Sequence, residues 1–130
     1  MTILTIRTDK PEAEIGLYID EEQLVYEKWE AHRQLAETLH RKILQLLEGQ
    51  HKNWENLEGI VVFEGPGSFT GLRIGISVAN ALSYGLNIPI VGMQNEDWIR
   101  TGVESLKKGT STLPVTPFYG SDANITTPKK

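Results

Sequence analysis

The sequence contains no cysteine, which excludes disulfides, thiolate metal sites and a cysteine nucleophile, and suits a reducing compartment. Histidine is scarce. His32, His40 and His51 fall in or beside one polar helical segment, without the carboxylate-flanked spacing of a zinc hydrolase, so no metal site is expected. Long apolar runs are also missing: no stretch approaches a membrane span, and Met1 to Asp9 lack a basic flank before an apolar core. A cytoplasmic protein without a membrane partner is expected. Positive charge is in deficit, with 13 lysines and arginines against 17 acids and a net charge of −4. Extended binding to nucleic acid rests on lysine and arginine neutralising phosphates, so any contact with RNA is expected to be indirect. No arginine-aromatic run accompanies the tryptophans, and Trp29, Trp54 and Trp98 read as edge or rim packing rather than base-stacking platforms.

What is present fits one domain of 130 residues. Ile3, Leu4 and Ile6 form a short apolar strand. Ile15, Leu17 and Ile19 then alternate with Gly16, Tyr18 and Asp20, and Leu24 to Trp29 reads as a third strand, with connections short enough for an antiparallel meander. From Ala31 to Glu48 the period changes: Leu35, Leu39, Ile43 and Leu46 mark an amphipathic helix ended by Gly49. Leu57 to Phe63 reads as a buried strand that runs into Gly65-Pro66-Gly67, and a second helix is predicted from Ser68 to Gly85. Ile88 to Val91 and Glu96 to Lys107 add a strand and a third helix. The order βββαβαβα predicts an α/β domain over residues 1–109, a mixed sheet with helices on its faces in the ribonuclease H-like arrangement. Residues 110–130, rich in threonine, serine, proline and glycine, read as an extended tail.

The informative segment is Gly65-Pro66-Gly67-Ser68-Phe69-Thr70-Gly71-Leu72-Arg73-Ile74-Gly75, between the buried strand and the second helix. A glycine-rich turn at a helix N-terminus can present backbone N–H groups to a phosphate, with Gly65, Gly67, Ser68 and Thr70 as candidates. It is not a P-loop, because Leu72 and Arg73 follow Gly71, and its glycine spacing does not fit a dinucleotide fingerprint. On local chemistry alone, a tight turn capped by Ser68 is the favoured reading. Within the helix, Gly71, Gly75 and Ala79 recur every four residues and share a face. Two helical glycines cost about 2 kcal/mol relative to alanine unless close packing requires them. That packing can be on a partner or within the subunit.

The run from Gly65 to Gly75 resembles the signature of the TsaB family, and the meander, the helix beginning near His32 and Ile88-Pro89-Ile90-Val91-Gly92 follow the order of TsaB amino-terminal domains over residues 1–105. The resemblance implies an actin-like ATPase fold and a non-catalytic scaffold role beside TsaD in modifying the adenosine next to the tRNA anticodon. It implies that the two long helices associate with TsaD, through Leu35, Leu39 and Ile43 on the first and Gly71, Leu72, Gly75 and Ala79 on the second. The ATPase TsaE joins that complex, and the same helices offer a homodimer surface. Two departures stand out. Arg7 occupies the position where typical members carry a strand-ending aspartate, and Asp9 lies about 7 Å farther along the strand. Typical members continue into a second actin-like domain, which this sequence is expected to lack after residue 105, although Pro117-Phe118-Tyr119 is similar to an element near the end of longer relatives. No nucleotide cofactor is therefore expected. The alternative is a self-contained nucleotide-responsive domain using the glycine turn. A nuclease is disfavoured, since only Asp9 and Glu64 stand at strand ends.

Overall fold

The computed structural model describes residues 1–31, 34–67 and 69–119, with the side chain of Phe69 left aside. The expected positions His32 and Ser68 and the end of the tail, 120–130, lie outside the described residues.

Five strands form one sheet in the order β3-β2-β1-β4-β5. Strands β1 (Thr2–Arg7), β2 (Glu12–Ile19) and β3 (Glu22–Glu30) make the antiparallel meander, while β4 (Gly59–Phe63) and β5 (Ile90–Met93) extend the sheet in parallel with β1. The two parallel joins are crossovers through α1 (Leu35–Gly49) and α2 (Phe69–Leu86), which pack together on one face. Helix α3 (Trp98–Lys107) covers β4 and β5 on the other face. The expected mixed α/β architecture is therefore present.

Periodicity located the elements, and local chemistry moved their ends. Gly49 completes the last turn of α1, but the left-handed residue that stops it is His51, φ 58°, with the Lys52 N–H donating to the Leu47 carbonyl. Likewise α2 runs past Gly85 to Leu86, and Asn87, φ 57°, makes the reversal. A short 3₁₀ turn over Trp54–Asn56, unmarked by any period, precedes β4.

The core is continuous on both sides of β1 and β4, where Ile3, Leu4, Ile6, Ile60, Val61 and Val62 are fully buried. Among the described residues, α3 packs chiefly on β4 and β5, and β2 and β3 are covered on that side by their own side chains. There the Tyr26 ring lies over Gly16, whose missing side chain leaves the room: a Cβ would stand 2.6 Å from Tyr26 Cδ1 and 2.9 Å from Thr5 Oγ1. The Tyr26 hydroxyl donates to Glu14 at 2.6 Å. Trp98, expected at a rim, is 4% exposed and meets Phe63 edge to face, because α3 lays its first turn flat on β4. Trp29 and Trp54 are half-buried as expected.

Residues 110–119 are extended, as expected, yet held. Thr112 N–H donates to the Ile90 carbonyl at 2.7 Å, Phe118 N–H to the Glu64 carbonyl at 2.7 Å, and Val115 is buried.

Candidate functional site

The glycine-rich turn sits where the parallel strands β1 and β4 end, and each of its glycines makes room for the chain itself. Gly65 has φ +124°, and a Cβ there would overlap the Phe118 carbonyl oxygen. One at Gly67 would overlap the side chain of Asp9, and one at Gly75 the hydroxyl of Thr8. Gly92, at the neighbouring end of β5, leaves space for Glu64 and Val115.

Thr8 is the pivot between strand and helix. It is 1% exposed, and its hydroxyl donates to the Gly71 carbonyl at 2.8 Å, so α2 is drawn against the end of β1 through Gly71 and Gly75. The helical face of Gly71, Gly75 and Ala79 thus turns inward. Ala79 and Leu72 are fully buried, as are Leu39 and Ile43 of α1, and Leu35 is 5% exposed. This corrects the expected surface. Leu35, Leu39, Ile43, Leu72, Gly75 and Ala79 are buried within the subunit and Gly71 is half-buried, because the close packing that Gly75 permits is with Thr8 at the end of β1.

The outward face of α2 carries Thr70, Arg73, Ser77, Ala81, Tyr84 and Gly85, all exposed, with Tyr84 at 80%. Beside it, Thr70, Arg73, Ser77 and Asn80 line one wall of a groove of about 550 Å³, and Val115 and Pro117 line the other. The exposed outer face of α1 carries Ala36, Glu37, His40 and Arg41.

Across the sheet, Arg7 is engaged internally. Its guanidinium donates to Asp9 at 2.7 and 3.1 Å and lies 3.9 Å above the Phe63 ring. Burial alone would lower the Arg7 pKa, but the hydrogen bond and charge of Asp9, with Glu14 and Glu96 farther off, raise it overall. The Asp9 carboxylate next to the turn is thereby neutralised by Arg7. Glu64, on the other side, accepts from Gln94 Nε2 at 2.6 Å. Two carboxylates thus flank the turn, Asp9 within an ion pair and Glu64 bonded to a neutral amide. Among the described residues, no three of His, Asp and Glu come together to hold a metal ion.

Thr8, Asn80 and Val115 were not singled out by sequence. Asn80 is a polar residue in an apolar helix, and Val115 an apolar one in a polar tail; each anomaly was the available signal, and the two residues pair with each other.

Comparison with known proteins adds the following. Residues 29–118 match the family model described as TsaD: tRNA N6-adenosine threonylcarbamoyltransferase. A tRNA N6-adenosine threonylcarbamoyltransferase of Geotalea daltonii is 43% identical over 65 residues, 50% of this chain and 19% of that protein. The tRNA threonylcarbamoyladenosine biosynthesis protein TsaB of Bacillus subtilis is 53% identical over 36 residues, 28% of this chain and 16% of that protein. In three dimensions, YeaZ from Pseudomonas aeruginosa superposes with a TM-score of 0.68 at 23% identity, over 83% of this chain and 50% of that one, which shows a shared fold. The matches to these two sequences therefore span less than a fifth of the relatives' length.

Proposed function

Because this chain belongs to the TsaD and TsaB family, we propose that it is a non-catalytic subunit in tRNA threonylcarbamoyladenosine biosynthesis, docking on a TsaD-type enzyme through the outer faces of α1 and α2. The observation that carries this reading is the use of the motif glycines: Gly65, Gly67 and Gly75 accommodate Phe118, Asp9 and Thr8. Space given over to internal packing is not space for a phosphate, and the Glu64 carboxylate, bonded only to a neutral amide, adds an unfavourable field. No nucleotide cofactor is assigned.

The docking surface is built from beneath. Leu35, Leu39 and Ile43 of α1, with Leu72, Gly75 and Ala79 of α2, fix the two helices against each other and the sheet. They thereby present Ser77, Ala81 and Gly85 outward on one stripe beside exposed Tyr84. Small side chains let a second helix approach to the short end of the usual ~8–10 Å range, and a neighbouring tyrosine supplies an anchor at the rim of such a seam. In this arrangement TsaE and tRNA meet the complex through the enzyme, and a homodimer would compete for the same faces.

A reconstituted modification assay tests the role. Added to a TsaD-type enzyme with its donor and ATPase, the chain should raise threonylcarbamoylation of tRNA, and should show no transfer when the enzyme is omitted. Transfer by the chain alone, or no effect on the enzyme, would refute the reading.

A further inference from the structure

Asn80 connects two parts of the molecule that the proposed docking treats separately. Its carboxamide takes both backbone groups of one residue: Asn80 Nδ2 donates to the Val115 carbonyl at 2.9 Å, and the Val115 N–H donates to Asn80 Oδ1 at 2.9 Å. This pairing imitates a strand-to-strand contact on a helix side chain. It seats Val115 over Gly92, and three residues later Phe118 bonds the Glu64 carbonyl, beside the turn. On the solvent side, the strap exposes Leu113 and Phe118, at 44% and 41%. The strap is thus fastened by a few discrete bonds, by buried Val115 and by Tyr119 packed against the core, with no regular ladder along it.

We propose that residues 110–119 form a latched strap that opens as a unit, and that its closed state builds one wall of the surface on which the partner docks. The second part rests on the docking reading given above. The geometry is direct: Asn80 lies on α2 one turn from Ser77, and the groove between them and Val115 and Pro117 opens on the same side as the outward face. A helix laid along Thr70, Ser77 and Ala81 would therefore touch the strap when it is closed and lose that wall when it is open. A minor open state lowers apparent affinity in proportion to its population, so the clamp sets how much of the protein is competent to bind.

The experiment uses the full chain with Asn80→Ala, which removes both clamp bonds while leaving the outward face of α2 intact. Amide hydrogen exchange should accelerate at Val115 and Phe118 by ~10-fold or more, the combined worth of two ordinary hydrogen bonds, while Ile60 to Phe63 keep their protection. Exchange that rises equally in β4 would mean the strap is inseparable from the core, and no change at Phe118 would mean that Asn80 holds nothing. Asn80→Asp, which keeps only the acceptor for Val115 N–H, should fall between. Association with the TsaD-type enzyme should weaken in Asn80→Ala by the drop in closed fraction that the exchange measurement gives, and association that stays undiminished while that fraction falls would overturn the wall. Ala81→Arg separates the two ideas. If Ala81→Arg weakens association and Asn80→Ala does not, the strap proposal alone fails; if neither does, the docking face itself is misplaced.

Discussion

Thr8 and Gly75 show most directly how single positions decide this fold. The Thr8 hydroxyl fills the place of a Gly75 side chain and bonds the Gly71 carbonyl, so a larger residue at 75 must push α2 off β1. Gly75→Leu should lower stability by about 3 kcal/mol in denaturant unfolding despite the better helix propensity of leucine; equal or greater stability would mean that the helix can shift freely. Sequence reading identified the small face correctly and left its direction open, since a spacing of four places residues on one side of a helix without saying what lies opposite. The resemblance then favoured a partner, and Thr8, a residue with no motif of its own, is the physical reason that the face turns inward. Tyr26 supplies a pH test at the same scale. Burial, then its hydrogen bond to Glu14 and that residue's charge, push its pKa upward. The folded protein therefore holds the phenolic proton more tightly than the unfolded chain. Stability from this group is complete below the ordinary tyrosine value of about 10 and falls as pH rises beyond it. Tyr18, also raised by burial, acts in the same sense. A pH series of thermal unfolding should show this alkaline loss, and Tyr26→Phe should make it shallower; an unchanged slope would contradict the assignment.

Elements were legible where a period ran long enough. The five strands and three helices follow from alternation and from 3.6-residue spacing, and β4, uniformly apolar, announced its burial on both faces. Their ends were less readable because His51 and Asn87, rather than glycine, occupy the left-handed positions after α1 and α2. The strap was legible as extended but not as packed, since the valine and asparagine that clamp it, like the backbone bonds of Thr112 and Phe118, pair across long stretches of chain and leave no local pattern. Val115, 3% exposed, gives this element its test. Val115→Asp would bury an unpaired charge or release the strap, and a loss of about 3 kcal/mol in chemical unfolding is expected. A loss below about 0.5 kcal/mol, the range of ordinary surface changes, would show that the strap adds nothing to the fold.

At the scale of the whole molecule, the mixed sheet places α1 and α2 together on one side and leaves their outer faces open, while α3 and Tyr26 close the other. Arg7, paired with Asp9 and stacked on Phe63, closes the strand ends. The proposed function has this subunit work by contact, and that claim is open to direct test. The most direct measurement is calorimetric titration of the full chain, wild type and Ala81→Arg, into a TsaD-type enzyme from the same source. Wild type should bind, and Ala81→Arg, on the exposed face of α2, should bind at least tenfold more weakly while its unfolding temperature stays unchanged. No binding by the wild type, or equal binding by the variant, would contradict the account.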